Sequence, residues 1–154
     1  MKKIFLIILA ASLGLPVIAQ TYKGSDRNRT AEEKLNEQYC TGLFKTTDGT
    51  ILDLSTDPAR GYINIVSWME SRVAGLQVYT SKTGLKVPLL RGGVPAIYVD
   101  ENPVSVNYIN TMNINDIGMI KIIKTPFLGG FNGGNGAIAI YTTIEDEDEE
   151  PASR

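Results

Sequence analysis

Carboxylates are the chemically versatile side chains of this sequence, because the chain contains no histidine and a single cysteine, Cys40. Acid–base catalysis would have to rest on Asp53, Glu70, Asp100 or Asp116, and none of these has a second carboxylate at a recognisable spacing. A single cysteine without histidine also excludes a disulfide within the chain, a Cys/His catalytic pair and the usual zinc-ligand sets. We therefore predict a protein without catalytic residues, metal site or cofactor.

A glycine-rich stretch at residues 129–136 is the second candidate for chemistry. It lacks the lysine of a Walker phosphate loop, and a strand pattern follows it where a dinucleotide-binding loop would need a helix. Phosphate binding is therefore excluded. Two interpretations stay open: a tight crossing of the backbone that only glycine fits, or a mobile loop that contacts a partner.

Hydrophobic periodicity predicts an α+β fold with a small β-sheet, one main helix and a short second helix. We expect the sheet to be mixed, which is what a family resemblance of the segments implies. In the main helix, residues 61–75, apolar positions recur at intervals of three and four, and Gly75 ends the helix. These apolar positions are Tyr62, Ile65, Val66, Met69 and Val73. The second helix is predicted at 108–112, and strands at 51–54, 76–80, 119–123 and 137–143.

Residues 85–104 are the region around which the other elements are expected to be arranged. Two apolar runs, 85–90 and 96–100, flank a turn that contains two glycines and a proline. We interpret the runs as a hairpin near the middle of the sheet. Pro88 removes one ladder donor, so the first run is expected at an edge or at a bulge.

The two ends of the chain differ in composition from its body. Residues 1–19 combine two lysines, an apolar run and a small-residue cleavage pattern, which predicts a secretory signal peptide. A membrane anchor is the alternative, but the run is shorter than the roughly 20 residues that span a bilayer. Residues 20–42 predict a flexible lead-in with a short helix at 31–39. Residues 145–154 begin with consecutive carboxylates and predict a disordered tail, with a weak calcium or basic-partner site as the alternative.

The remaining residues, 43–144, are predicted to form one domain. The whole chain is 43% hydrophobic and 21% charged, as is typical of a globular protein. The absence of a basic excess argues against nucleic-acid binding. Cys40 is expected to be a small buried residue, with a reactive thiol as the alternative.

Several segments between residues 71 and 143 resemble the plug domain of TonB-dependent outer-membrane receptors, in the same order. The matches are residues 71–78 with "GRVAGLQV", 89–93 with "IRIRG", 96–104 with "PLYVVDGVPV", 115–124 with "NDIESIEVLK" and 133–143 with "GANGVILITT". Two short segments depart from the family: Asp100-Glu101-Asn102 stands where members carry Asp-Gly, and residues 125–130 replace an Ala-rich helical turn. The residues after the predicted signal peptide are too few to add a barrel of at least about eight strands, so we expect a plug-like domain without the barrel.

The resemblance implies an exported, non-enzymatic binding module in the periplasm or on the periplasmic side of the outer membrane. Its expected partner is an outer-membrane barrel or an envelope transport complex, bound without covalent chemistry through an exposed sheet edge or through two loops. The partner-contact candidates in these loops are Arg91, Gly92, Gly93, Phe131, Asn132 and Asn135. Arg91 is expected either to cap its turn or to contact a partner carboxylate.

Two other functions remain open at this point. The chain is alternatively a structural accessory or scaffold protein of a cell-envelope complex, because a fold does not determine a function. The third possibility is the remnant of a truncated receptor.

Overall fold

The computed structural model describes residues 30–56, 59, 61–129 and 133–144; the predicted signal peptide and acidic tail lie outside them. The helices described are α1 Ala31–Tyr39, α2 Gly42–Thr46, α3 Ile65–Glu70 and α4 Val106–Thr111. The strands are β1 Thr50–Asp53, β2 Leu76–Thr80, β3 Lys86–Leu90, β4 Ala96–Val99, β5 Asn102–Pro103, β6 Ile117–Ile123 and β7 Ala137–Thr142. Short 3-10 turns lie at Ile114–Asp116 and Gly133–Asn135. None of the described helices has the length and apolar character needed to cross a membrane.

A five-stranded mixed sheet in the order β1-β6-β7-β4-β5 forms the centre of the described structure. β4 and β7 run parallel, and the other neighbouring strands run antiparallel. Alternation along the two middle strands places Ile120, Ile122, Ile138 and Ile140 on one face. The predicted α+β class with a mixed sheet is therefore confirmed, and so is the alternating pattern of its middle strands.

Each face of this sheet carries its own apolar cluster. The first cluster packs the isoleucine face against α3 through Trp68 and against α4 through Ile109. The second packs the opposite face against Phe44 of α2, with the half-buried Leu35 and Tyr39 of α1 at its margin. The helix predicted at 31–39 forms with those bounds, and none of its residues is fully buried. The division of the chain at residue 43 stays a prediction.

Lys121 is a charged residue in the middle of β6 with only 2% of its surface exposed. Its side chain points away from Ile120 and Ile122, as the alternation predicts. Nζ donates hydrogen bonds of 2.6 Å to Oδ1 of Asn36 and of 2.6 Å to the carbonyl oxygen of Phe44. Burial lowers the pKa of Lys121. This lysine therefore ties α1 and α2 to the second face of the sheet.

The predicted hairpin between residues 85–90 and 96–100 is wrong. β3 pairs with β2 in a separate two-stranded antiparallel sheet, whereas β4 lies between β7 and β5 in the main sheet. The prediction that Pro88 lies at an edge is confirmed, because both strands of a two-stranded sheet are edges. The two apolar runs are thus neighbours in sequence that belong to different sheets.

The physical reason lies in the residues between the two strands. A tight turn pairs Leu90 with Gly93, and the antiparallel contact ends there. Pro95 has no N–H to continue a ladder in that direction. Ala96 instead donates its N–H to the carbonyl oxygen of Gly136 at 3.0 Å, which starts the parallel pairing of β4 with β7.

The main helix is shorter than predicted, because α3 covers Ile65–Glu70 rather than residues 61–75. Oδ1 of Asn64 accepts a 2.9 Å hydrogen bond from the backbone N–H two residues later, which fixes the start of the helix. Tyr62 therefore precedes the helix and is 41% exposed rather than part of the buried stripe. The other four residues predicted for the stripe are buried.

The second helix is confirmed, but it begins earlier than predicted, at Val106. Oγ of Ser105 caps it by accepting a hydrogen bond of 3.4 Å from the backbone N–H of Tyr108. Cys40 is buried, with 2% of its surface exposed, which confirms its predicted burial.

Candidate functional site

The turn at Arg91 and Gly92 is the best-defined part of the predicted contact surface. Both residues have positive φ, 53° and 80°, which is the signature of a type I′ turn. Leu90 and Gly93 exchange two backbone hydrogen bonds of 2.9 and 3.0 Å across it. The side chain of Arg91 is exposed, and no hydrogen bond or ion pair engages it among the described residues. Backbone hydrogen bonds hold the turn, which therefore does not depend on the guanidinium.

Among the described residues, the second predicted loop approaches this turn through Asn135. A Cβ added to Gly93 would overlap Nδ2 of Asn135 and lie 2.7 Å from its Cγ. Gly93 is therefore the residue that allows the Asn135 side chain to approach the turn. The structure brings together four of the six predicted contact residues, Arg91, Gly92, Gly93 and Asn135. Phe131 and Asn132 lie outside the described residues.

The glycines beside Asn135 form a tight backbone crossing. A Cβ on Gly133 would overlap the carbonyl oxygen of Phe127, and the N–H of Phe127 donates to the carbonyl oxygen of Gly133 at 2.7 Å. Gly136 has a φ of +99°, and a Cβ there would overlap the carbonyl oxygen of Ile123. The interpretation as a crossing that only glycine fits is confirmed at these two positions.

An apolar groove of about 630 Å³ lies next to the turn. Its lining includes Val94 and Pro95, which follow the turn, and Phe127, which precedes the glycine crossing. Leu43, half exposed, also lines the groove, and Leu128 beside Phe127 is 96% exposed. The groove is assembled from segments far apart in sequence, so the sequence carried no signal for it. Together with the turn it makes a surface that combines the exposed Arg91 with an apolar recess.

A second feature that was not predicted is the role of Glu101, which lies with Asp100 in the β4–β5 connection and also lines the groove. Asp100 and Glu101 have φ values of 46° and 65°, which L-amino acids with side chains adopt with strain. The backbone N–H of Thr41 donates to Oε1 of Glu101 at 2.5 Å, and Oγ1 of Thr41 donates to Oε2. The hydroxyl of Tyr141 donates to Oε1 at 3.3 Å. Glu101 therefore links the start of α2 to the main sheet.

Asp100 holds the same turn from its other side. The backbone N–H of Thr142 donates to Oδ1 of Asp100 at 2.9 Å, and its hydroxyl donates to Oδ2 at 3.1 Å. One feature of the sequence could have pointed to Glu101, namely that it stands where the family carries glycine. A side chain at a position that favours glycine is expected to make a stabilising contact. This network is an anchor within the fold rather than a ligand site.

The buried hydroxyl of Tyr141 leads to a prediction about pH. Burial, followed by its contacts with Cys40 and Glu101, raises the pKa of Tyr141 well above its ordinary value. An unfolded tyrosine ionises near pH 10, so above that pH unfolding releases a proton and stability falls. Tyr141→Phe is expected to remove up to about 1.4 kcal/mol per pH unit of this fall. Urea unfolding at intervals between neutral and strongly alkaline pH measures it, and an unchanged alkaline slope in the variant would contradict it.

No protein-family model matches the chain, and no curated protein matches it in sequence. Solved structures do match. The RagAB peptide importer in its open-open state shares 23% identity with a TM-score of 0.53, over 62% of this chain and 12% of that one. The siderophore receptor PirA from Acinetobacter baumannii shares 17% identity with a TM-score of 0.53, over 75% and 19%.

A variant of the ferric enterobactin receptor PfeA from Pseudomonas aeruginosa gives a similar result, with 19% identity, a TM-score of 0.51 and coverage of 62% and 17%. At these identities the likeness concerns the fold. The resemblance predicted from the sequence is confirmed at that level: the chain has a plug-like fold shared with TonB-dependent receptors. It spans less than a fifth of the length of these three receptor chains.

Proposed function

We propose that this protein is an exported plug-like binding module that associates non-covalently with a TonB-dependent uptake assembly of the outer membrane. The observation that carries the proposal is the fold, which is shared with parts of a peptide importer and of siderophore receptors. The predicted signal peptide supports a location in the periplasm or on the periplasmic side of the outer membrane.

The surface through which it acts is the Arg91–Gly92 turn with Asn135 and the adjacent apolar groove. The exposed Arg91 suits a carboxylate of the partner, because a guanidinium can donate two parallel hydrogen bonds to one carboxylate. The groove suits an apolar side chain beside that carboxylate. A partner that contacts both Arg91 and the groove would be held in one orientation as well as bound over a larger area.

The test is affinity isolation of the tagged protein from the envelope of the cells that produce it, after mild cross-linking. We expect an outer-membrane receptor or transport protein to be recovered with the unaltered chain. Arg91→Glu is expected to reduce that recovery roughly ten-fold, since it turns an attraction at the interface into a repulsion. Recovery of the unaltered protein as a free monomer would contradict the proposed function.

The matched control is Lys82→Glu, which makes the same charge reversal at an exposed position of the β2–β3 turn. This variant is expected to retain the partner. If both variants lose the partner equally, the effect is one of net charge. If both retain it, the association stands but the assigned surface is wrong.

A further inference from the structure

Contacts within the chain close most of the outward positions on the two edges of the β2–β3 hairpin. In an antiparallel pair of strands, residues that lie opposite each other alternate between two kinds. In one kind the two residues hydrogen-bond to each other, and in the other kind their N–H and C=O groups point away from the partner strand. Val78 lies opposite Pro88, and the N–H of Val78 is directed away from β3, toward Glu70. The outward positions are therefore Leu76, Val78 and Thr80 on β2, and Lys86, Pro88 and Leu90 on β3.

Glu70, the last residue of α3, covers the outer edge of β2. Its Oε1 accepts a hydrogen bond of 3.1 Å from the N–H of Val78. Two residues earlier on the same edge, the N–H of Leu76 donates to the carbonyl oxygen of Val73 at 3.1 Å. A second strand approaching β2 would have to displace the Glu70 carboxylate to reach Val78.

The outer edge of β3 is closed at all three outward positions. The side-chain amide of Asn110 imitates a neighbouring strand: Oδ1 accepts from the N–H of Lys86 at 3.0 Å, and Nδ2 donates to its carbonyl oxygen at 2.9 Å. Pro88 has no N–H to offer. Leu90 already exchanges both of its backbone hydrogen bonds with Gly93.

This closure matters because of what the hairpin would otherwise expose. β2 reads LQVYT, a segment without charge and rich in residues that favour strands, and Tyr79 on its outer face is 58% exposed. An uncharged open edge of this kind is a template for pairing with another chain. The partner such an edge fits best is the same strand of a second copy, because antiparallel pairing around Val78 satisfies a two-fold axis.

We propose that Glu70, Pro88 and Asn110 guard the β2–β3 hairpin against pairing with a strand of a second copy of this chain. Glu70 acts in two ways at the β2 edge. It occupies the outward N–H of Val78, and in a two-fold pair the two Glu70 carboxylates would approach each other. This proposal is independent of the proposed function, because it concerns the chain alone.

The test compares Glu70→Ala with Glu70→Gln in the purified chain by sedimentation velocity over a wide concentration range. Glutamine keeps the oxygen that accepts from Val78 and removes only the charge, so this variant is expected to associate much less than the alanine variant. Alanine frees the N–H in each copy, and symmetric pairing then forms two backbone hydrogen bonds. We expect a self-association constant roughly ten-fold higher than that of the glutamine variant.

The position of the contact is read by hydrogen exchange. In Glu70→Ala, the amides of residues 76–80 are expected to exchange more slowly as the protein concentration rises. Pro88→Val is the second variant, and it adds an outward N–H to β3, with slower exchange expected at residues 86–90. The proposal is overturned if both opened variants associate no more than the glutamine control, or if they associate without protecting either strand.

Discussion

Replacing Gly133 by alanine is expected to lower the free energy of unfolding by about 3–5 kcal/mol. The new Cβ would overlap the carbonyl oxygen of Phe127 and lie 2.9 Å from its carbonyl carbon. The Phe127 backbone has little freedom to withdraw, because its N–H is bonded to Gly133 and its ring packs 4.9 Å from that of Phe44. Urea unfolding of the purified variant measures the loss, which is a large share of the stability of a small domain.

Gly134→Ala is the matched control, because it makes the same change one residue further along the chain. A Cβ on Gly134 would meet nothing within 4 Å, and we expect a change within about 0.5 kcal/mol. The difference between the two variants isolates the close approach to Phe127 from the general effect of replacing glycine. Similar stabilities for Gly133→Ala and Gly134→Ala would show that the crossing is looser than the structure indicates.

The middle of the sheet was predictable from the sequence because its physical signal is local. Along β6 and β7 the side chains alternate between two apolar clusters. The period of two is visible because Lys121 lies between two isoleucines in β6 and Ala139 lies between two isoleucines in β7. The helix at Ala31–Tyr39 was predictable for a similar reason: Thr30 and Glu33 form a capping box at its start.

Strand pairing was not predictable from the same signal. The runs on either side of Arg91 have the composition of a hairpin, but composition does not say which strand an edge will meet. The parallel contact of Ala96 with the Gly136 region is formed by residues 40 positions apart, and its stability depends on how both faces are covered. The same holds for the candidate surface. The turn and the glycine-rich loop could each be predicted from the sequence, but the contact of Gly93 with Asn135 could not, because it depends on how distant segments pack.

Glu101→Ala is expected to lower the free energy of unfolding by about 2–3 kcal/mol. The carboxylate accepts from the backbone and the hydroxyl of Thr41 and from Tyr141, so its removal detaches the start of α2 from the sheet. Hydrogen exchange is expected to accelerate in residues 31–46 before it does in β6 and β7, which keep their own ladder. Urea unfolding gives the overall loss, and exchange gives its location.

Glu101→Gly distinguishes the contribution of the carboxylate contacts from the cost of the positive φ at this position. Glycine also lacks the carboxylate, but it adopts the φ of 65° at this position without a side-chain penalty. We expect it to be about 1 kcal/mol more stable than the alanine variant and still less stable than the unaltered protein. Equal stabilities for the alanine and glycine variants would show that the positive φ carries no cost. A glycine variant as stable as the unaltered chain would show that the carboxylate contacts do not stabilise the fold. Because glycine is the residue that the family pattern carries at this turn, the expected order means that this chain accepts a strained turn in exchange for fixing its N-terminal helices.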